Sequence, residues 1–182
     1  DKLIDYVKNT PEGSYFDRKS SRIAPKDIIK HIIAFANANG GTLAIGVEDD
    51  RTLTGFGMQN SHSPEEYKEA IMKCCYPAPS YQFKVVPYGT QSTEYILLIE
   101  IDASTNQVIM KIPERAVYFR IMDQSRVLAH DQITKLEYDK GQRFFEDQEI
   151  PEATIEEDID KALVQVYCKK MDSSLPFNVQ VT

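Results

Sequence analysis

Tryptophan is absent from this 182-residue chain and cysteine is scarce: Cys74 and Cys75 are adjacent, and Cys168 stands alone. An odd set without metal-ligand spacing excludes a disulfide framework and a cysteine-built zinc site. The thiols read as small buried fillers in a reducing compartment. Long apolar runs are also missing. Stretches such as Tyr95-Ile96-Leu97-Leu98-Ile99 are far too short to cross a bilayer, so no membrane partner is expected. The start at Asp1 shows neither the basic region nor the apolar core of a secretory leader, and a cytoplasmic location is the expectation. Low-complexity segments and internal repeats are lacking as well. What is present is 42% hydrophobic, with ten Tyr and eight Phe, enough for one sizeable core and a single compact domain.

Net positive charge is lacking too. The formal balance of -7 taken alone argues against a polyanionic partner. Its distribution reverses that reading. Glu146, Asp147, Glu149, Glu152, Glu156, Glu157, Asp158 and Asp160 crowd one basic-free segment, and setting those eight charges aside leaves the rest of the chain at +1. Arg18, Lys19, Arg22, Lys26 and Lys30 fall within thirteen residues whose only acid is Asp27. That run is a candidate docking patch for phosphates.

Residues 25–39 carry Ile28, Ile29, Ile32, Ile33, Phe35 and Ala36 at helical spacing, with Pro25 in the first turn and Gly40-Gly41 beyond the end. The spacing predicts a helix with a buried C-terminal half. Thr42 to Val47 reads as a short core strand. Ser63-Pro64-Glu65-Glu66 is a capping box that opens a helix running towards Cys75 and stopped by Pro77 and Pro79. Tyr81 to Val85 and Tyr95 to Ile101 predict an antiparallel pair. Val108 to Ile112 and Val117 to Ile121 predict two further strands, the last with Val117, Phe119 and Ile121 on its apolar face and Tyr118 and Arg120 opposite. A helix is expected over 131–144. Thr154-Ile155-Glu156-Glu157 repeats the capping pattern before a stripe of Ile155, Ile159, Leu163, Val166 and Tyr167 on an acidic helix. The fold class is therefore α+β: a mixed sheet flanked by helices, with a C-terminal amphipathic helix that could pack on the core or dock a partner.

Three stretches read together resemble a known family. They are Glu12 to Lys19, Ile33 to Asp49 through Ala-Phe-Ala-Asn-Ala-Asn-Gly-Gly, and Val117-Tyr118-Phe119-Arg120 followed by Asp123-Gln124-Ser125-Arg126. This pattern is similar to the AlbA_2 DNA-binding domain shared with the Schlafen proteins. Where the family's pattern runs Glu-Phe-Lys, this chain has Asp17-Arg18-Lys19: the carboxylate is one methylene shorter and a cation replaces the aromatic.

The resemblance implies an AlbA_2-like domain over 1–145 and a linker, acidic helix and tail over 146–182. It also implies a nucleic-acid partner, DNA before RNA, in a transcriptional regulator with a further C-terminal regulatory domain, and a homo-oligomer is open. The expected phosphate contacts are Arg18, Lys19, Arg22, Lys26, Lys30, Arg120 and Arg126, none of which needs a cofactor, and a pairing of Arg120 with Asp123 or with a core carboxylate such as Asp17 is equally open. Asn39, Gly40 and Gly41 are a candidate phosphate-binding turn, though the segment lacks the Gly-Lys-Ser/Thr of a nucleotide loop.

Schlafen-like ribonucleases imply an alternative in which Glu12, Asp17 and Asp49 are catalytic carboxylates holding Mg2+ or Mn2+, with Lys19 neutralising the phosphoryl group. A second alternative is a dimerisation or partner-docking module. His31, His62 and His130 share no spacing that would build a hydrolytic triad and are expected to be surface or packing residues.

Overall fold

The computed structural model describes residues 2–144 and 160–170. The chain divides into two units, Asp1–Phe144 and Phe145–Thr182. In the first, helix α1 (Lys2–Asn9) leads into strand β1 (Phe16–Lys19), helix α2 (Ile29–Asn37) and strand β2 (Gly41–Ile45). Helix α3 (Pro64–Cys74) is followed by β3 (Cys75–Tyr76), β4 (Tyr81–Pro87), β5 (Tyr95–Ile101), β6 (Met110–Lys111), β7 (Tyr118–Ile121), β8 (Gln124–Val127) and α4 (His130–Asp139). The central sheet has the order β1-β2-β5-β4. β1 runs parallel to β2 through the α2 crossover, and the remaining pairs are antiparallel. The expected α+β class with a mixed sheet holds.

Strand periodicity decides which side chains meet. Leu43 and Ile45 of β2 align with Ile99 and Leu97 of β5, and these four join Ile28, Ile32, Ile33, Phe35, Tyr67 and Ile71 in the core between the sheet and helices α2 and α3. Ala44, Ile96 and Leu98 point the other way, where Val7 of α1, Phe16 and Val86 cover them. β5 is thus buried on both faces, which is why its run is continuously apolar. Helix α2 is buried at eight of its nine positions. Burying side chains of this size stabilises by roughly 1.5–3 kcal/mol each.

Two devices hold α2 in place. Gly40, at φ +74°, ends the helix where an added Cβ would lie 2.7 Å from the Ile101 carbonyl, and its amide donates to Phe35 O. The positive φ and the tight contact both demand glycine. Asn37 is buried and donates to the carbonyls of Ile109 (2.7 Å) and Tyr118 (2.9 Å), while its carbonyl accepts from Ile109 N at 2.8 Å. It thereby ties α2 to two segments more than seventy residues away.

Several boundaries differ from the sequence reading. α2 starts at Ile29 instead of residue 25, because Ala24 to Asp27 form a turn ahead of it. α1, β1 and β8 were not foreseen, and the expected strand at 108–112 shortens to β6. In the second unit the helix α5 (Lys161–Lys170) is capped by Asp160, whose Oδ1 accepts from the amides of Ala162 and Leu163. The Thr154 capping pattern lies outside the described residues. No helix among the described residues is long and apolar enough to cross a membrane.

Candidate nucleic-acid interface

β1 is an edge strand, and local groups close its rim. Phe16 O accepts from Gly13 N at 2.9 Å, Arg18 N donates to Glu12 Oε1 at 3.1 Å, and Arg18 O accepts from Lys19 Nζ at 2.8 Å. Saturating these groups removes the open ladder that invites strand addition. The β1–β2 register sets Asp17 beside Leu43 and Lys19 beside Ile45, so both side chains face α2, whereas Phe16 and Arg18 face α1.

Asp17, 1% exposed, is the centre of a charged cluster. Its Oδ1 accepts from Lys19 Nζ at 2.6 Å. Its Oδ2 accepts from Arg120 Nη1 at 2.9 Å and lies 3.2 Å from His31 Nδ1. Ser125 Oγ is 3.2 Å from Arg120 Nη1 and 3.1 Å from His31 Nδ1. Arg120 also donates to Gly13 O at 3.0 Å and lies 4.7 Å over the Phe35 ring. Burial by itself would raise the Asp17 carboxyl. The hydrogen bonds from His31 and Lys19 and the charge of Lys19 outweigh it and hold the group well below the usual carboxylate range. Burial pushes His31 down, helped by the charges of Lys19 and Lys30 and opposed by Asp17. A neutral ring satisfies the carboxylate only as the Nδ1–H tautomer. Because Ser125 and Asp17 reach the same ring nitrogen, no serine-to-histidine-to-aspartate relay exists here.

Glu12 is pushed up by burial of its carboxyl and by the neighbouring Asp17 charge, against the Arg18 amide and Lys19. A raised carboxyl favours the folded state below its ordinary value near pH 4, and that contribution is lost as the pH rises through the folded value. Glu12→Gln keeps an acceptor for Arg18 N. It is expected to raise the melting temperature slightly at pH 7, with the advantage vanishing below about pH 4. Thermal unfolding of both proteins across that range is the check.

The structure separates the residues expected to share one basic patch. Arg18 is 3% exposed on the α1 face, where it donates to Val7 O at 3.2 Å and to Thr10 O and lies 5.2 Å from the Phe16 ring centre. It caps the carbonyl end of α1 and is no surface cation, a consequence of strand alternation. Arg120 is likewise turned inward. The Tyr118/Arg120 face of β7 is the packed one, and Ile121 of the other face is exposed, because the buried Asp17 requires a cation.

Arg22 is exposed and pairs with Glu48 at 3.1 Å. Lys26 lines a separate groove of about 590 Å³ with Glu66, Glu69 and Lys73 of α3. Lys19, Lys30 and Arg126 remain around the cluster. The Lys19 side chain is 24% exposed, Lys30 and Arg126 are exposed, and Arg126 donates twice to Gln124 Oε1.

Gly40 is buried against β5, and an added Cβ at Gly41 would lie 2.5 Å from the Phe35 ring, so only Asn39 of the expected phosphate turn is exposed. The turn seats helix against sheet. Asp49 is exposed in the turn beyond Val47, and among the described residues no group of three His, Cys, Asp or Glu side chains is placed to hold a metal ion. Asp17 is instead the hub of the contacts from Lys19, Arg120 and His31, and Asp49 does not join Glu12 and Asp17 in such a group.

Sequence reasoning missed His31, Ser125 and Asn37 as members of these networks. The available signal was a polar residue inside an otherwise apolar stripe: His31 stands between Ile28 and Ile32, and Asn37 follows Ala36.

A mixed four-stranded sheet with one buried helical crossover and a carboxylate pinned by Lys19, His31 and Arg120 defines an α+β domain with a charged edge. The chain belongs to the Schlafen AlbA_2 family, whose model matches residues 12–129, and this membership supports a nucleic-acid-binding domain. Among curated proteins none matches the sequence. Among solved structures it is similar to the crystal structure of the DIP2311 protein from Corynebacterium diphtheriae, at TM-score 0.53 and 15% identity over 96% of this chain and 34% of that one. The likeness is one of fold, and this chain spans about a third of that protein's length.

Proposed function

We propose that this domain binds the sugar-phosphate backbone of nucleic acid, DNA before RNA, through Lys19, Lys30 and Arg126, as the DNA-contacting part of a transcriptional regulator. The supporting observation is that Lys19 Nζ sits on the Asp17 carboxylate, which His31, the neighbour of the exposed Lys30 on α2, also reaches, while the exposed Arg126 stands on the outer side of the hairpin whose root carries Ser125. Lys19 is locked by two hydrogen bonds. A rigid cation loses little conformational entropy when it meets a phosphate.

Each phosphate contact lowers the log-log dependence of affinity on salt by about 0.9 on B-form DNA. A Lys30→Glu, Arg126→Glu protein is expected to bind duplex DNA more weakly, with a slope reduced by roughly 0.9 per lost contact. Fluorescence anisotropy at four ionic strengths measures it. An unchanged slope removes the backbone-contact reading.

A further inference from the structure

The β7–β8 hairpin carries an uncovered face that backbone binding does not use. Its register pairs Phe119 with Arg126, Ile121 with Gln124 and Arg120 with Ser125. Directly opposed residues share a face, so Arg120 and Ser125 form the root buried against Asp17 and His31, and Phe119, Ile121, Gln124 and Arg126 form the outer face. The two-residue tip is Met122, at φ +56°, and Asp123. Ile121 is 44% exposed and Met122 is 73% exposed. The tip thus presents two neighbouring apolar side chains beside an arginine already fixed by Gln124.

We infer that this hairpin enters a groove of duplex DNA, with Met122 and Ile121 against the bases and Arg126 and Gln124 at base edges or the adjoining phosphate. This rests on the backbone reading above and names its partner as double-stranded. Charge complementarity selects the partner: Arg126 on the outer face and Lys19 and Lys30 by the root give the hairpin positive flanks, which suit a polyanion. Size agrees, because two strands about 4.8 Å apart with their side chains fit a major groove about 12 Å wide. Asp123 repels phosphates, which directs the tip towards base edges, where amino groups are available as donors. The root is rigid, since Arg120 fastens β7 to Asp17, Gly13 and Phe16. A groove-reading element has to be held this way to keep its register.

The test is an anisotropy titration of the full chain with a 20-base-pair duplex and with one of its strands. An Ile121→Ser, Met122→Ser protein is expected to bind the duplex about tenfold more weakly with an unchanged salt slope, and the single strand as well as the parent does. Because both residues are exposed, the variant's melting temperature should match the parent's, and Asp123→Asn should tighten duplex binding. Equal loss on duplex and single strand, or no loss on either, overturns the inference. So does a parent dimer that dissociates in the tip variant while DNA affinity stays constant. The Lys30→Glu, Arg126→Glu slope separates these failures from failure of the backbone reading.

Discussion

An Arg120→Met protein is expected to unfold about 10 °C below the parent at pH 7. The guanidinium and the Asp17 carboxylate are 0% and 2% exposed, and removing one partner of a buried pair costs about 3–5 kcal/mol because the other charge is left without compensation. Lys19 and His31 still reach Asp17, which puts the loss towards the lower end. Acid gives the distinguishing signature. In the parent, the lowered Asp17 carboxyl contributes stability that is present above the ordinary carboxylate value near pH 4 and is lost as the pH falls from there through the folded value. Without Arg120 that shift shrinks, so the variant has less to lose. The two melting curves should converge as the pH drops below about 4. Parallel curves at every pH would mean that the Arg120–Asp17 contact carries no electrostatic stability.

Asn37→Leu is expected to be at least as damaging. It deletes three hydrogen bonds of 2.7, 2.9 and 2.8 Å and strands the Ile109 N–H and the carbonyls of Ile109 and Tyr118. Each buried group left unsatisfied costs about 1–3 kcal/mol, so a loss of roughly 3–5 kcal/mol and a melting temperature at least 10 °C lower follow. Asn37→Asp discriminates hydrogen bonding from packing. It preserves the shape and the acceptor for Ile109 N, but it aims a carboxylate at two carbonyl oxygens. It should therefore fail at pH 7 and recover in acid as it protonates and donates. Amide exchange at Ile109 reads the local consequence. If its protection in Asn37→Leu matches the parent's, Asn37 is not the clasp described here.

The two substitutions act on residues whose importance was unequally legible. Arg120 stood out in the sequence because of the Tyr-x-Arg stretch, with a phosphate clamp and a pairing with Asp123 or Asp17 equally open, and the structure shows the pairing with Asp17. The apolar alternation Val117, Phe119, Ile121 is buried at Val117 but exposed at Ile121, while the fold packs Tyr118 and Arg120 against α2. Periodicity of two separates two faces without saying which one meets the core. An inward charge reverses the expectation when a buried counter-charge awaits it. Arg18 was misplaced for the same reason, since a five-cation run in sequence becomes a patch only if the strand and the turn that carry it point one way.

The sequence by itself determined the elements with strong local codes. The Ser63 capping box formed as expected, Tyr95–Ile101 is a strand over the expected range, and the Gly40-Gly41 joint closes α2. Each depends on neighbours within a few residues, so spacing alone carries the physics. Only the tertiary structure decided the cluster around Asp17, which gathers residues 17, 19, 31, 120 and 125 from β1, α2, β7 and β8. The Asn37 clasp was decided in the same way, as was the division of the cations among separate faces. Those contacts span up to about a hundred residues of chain. Their energies come from burial and from charge compensation in a dry interior, which exist only once the sheet and α2 have closed on each other.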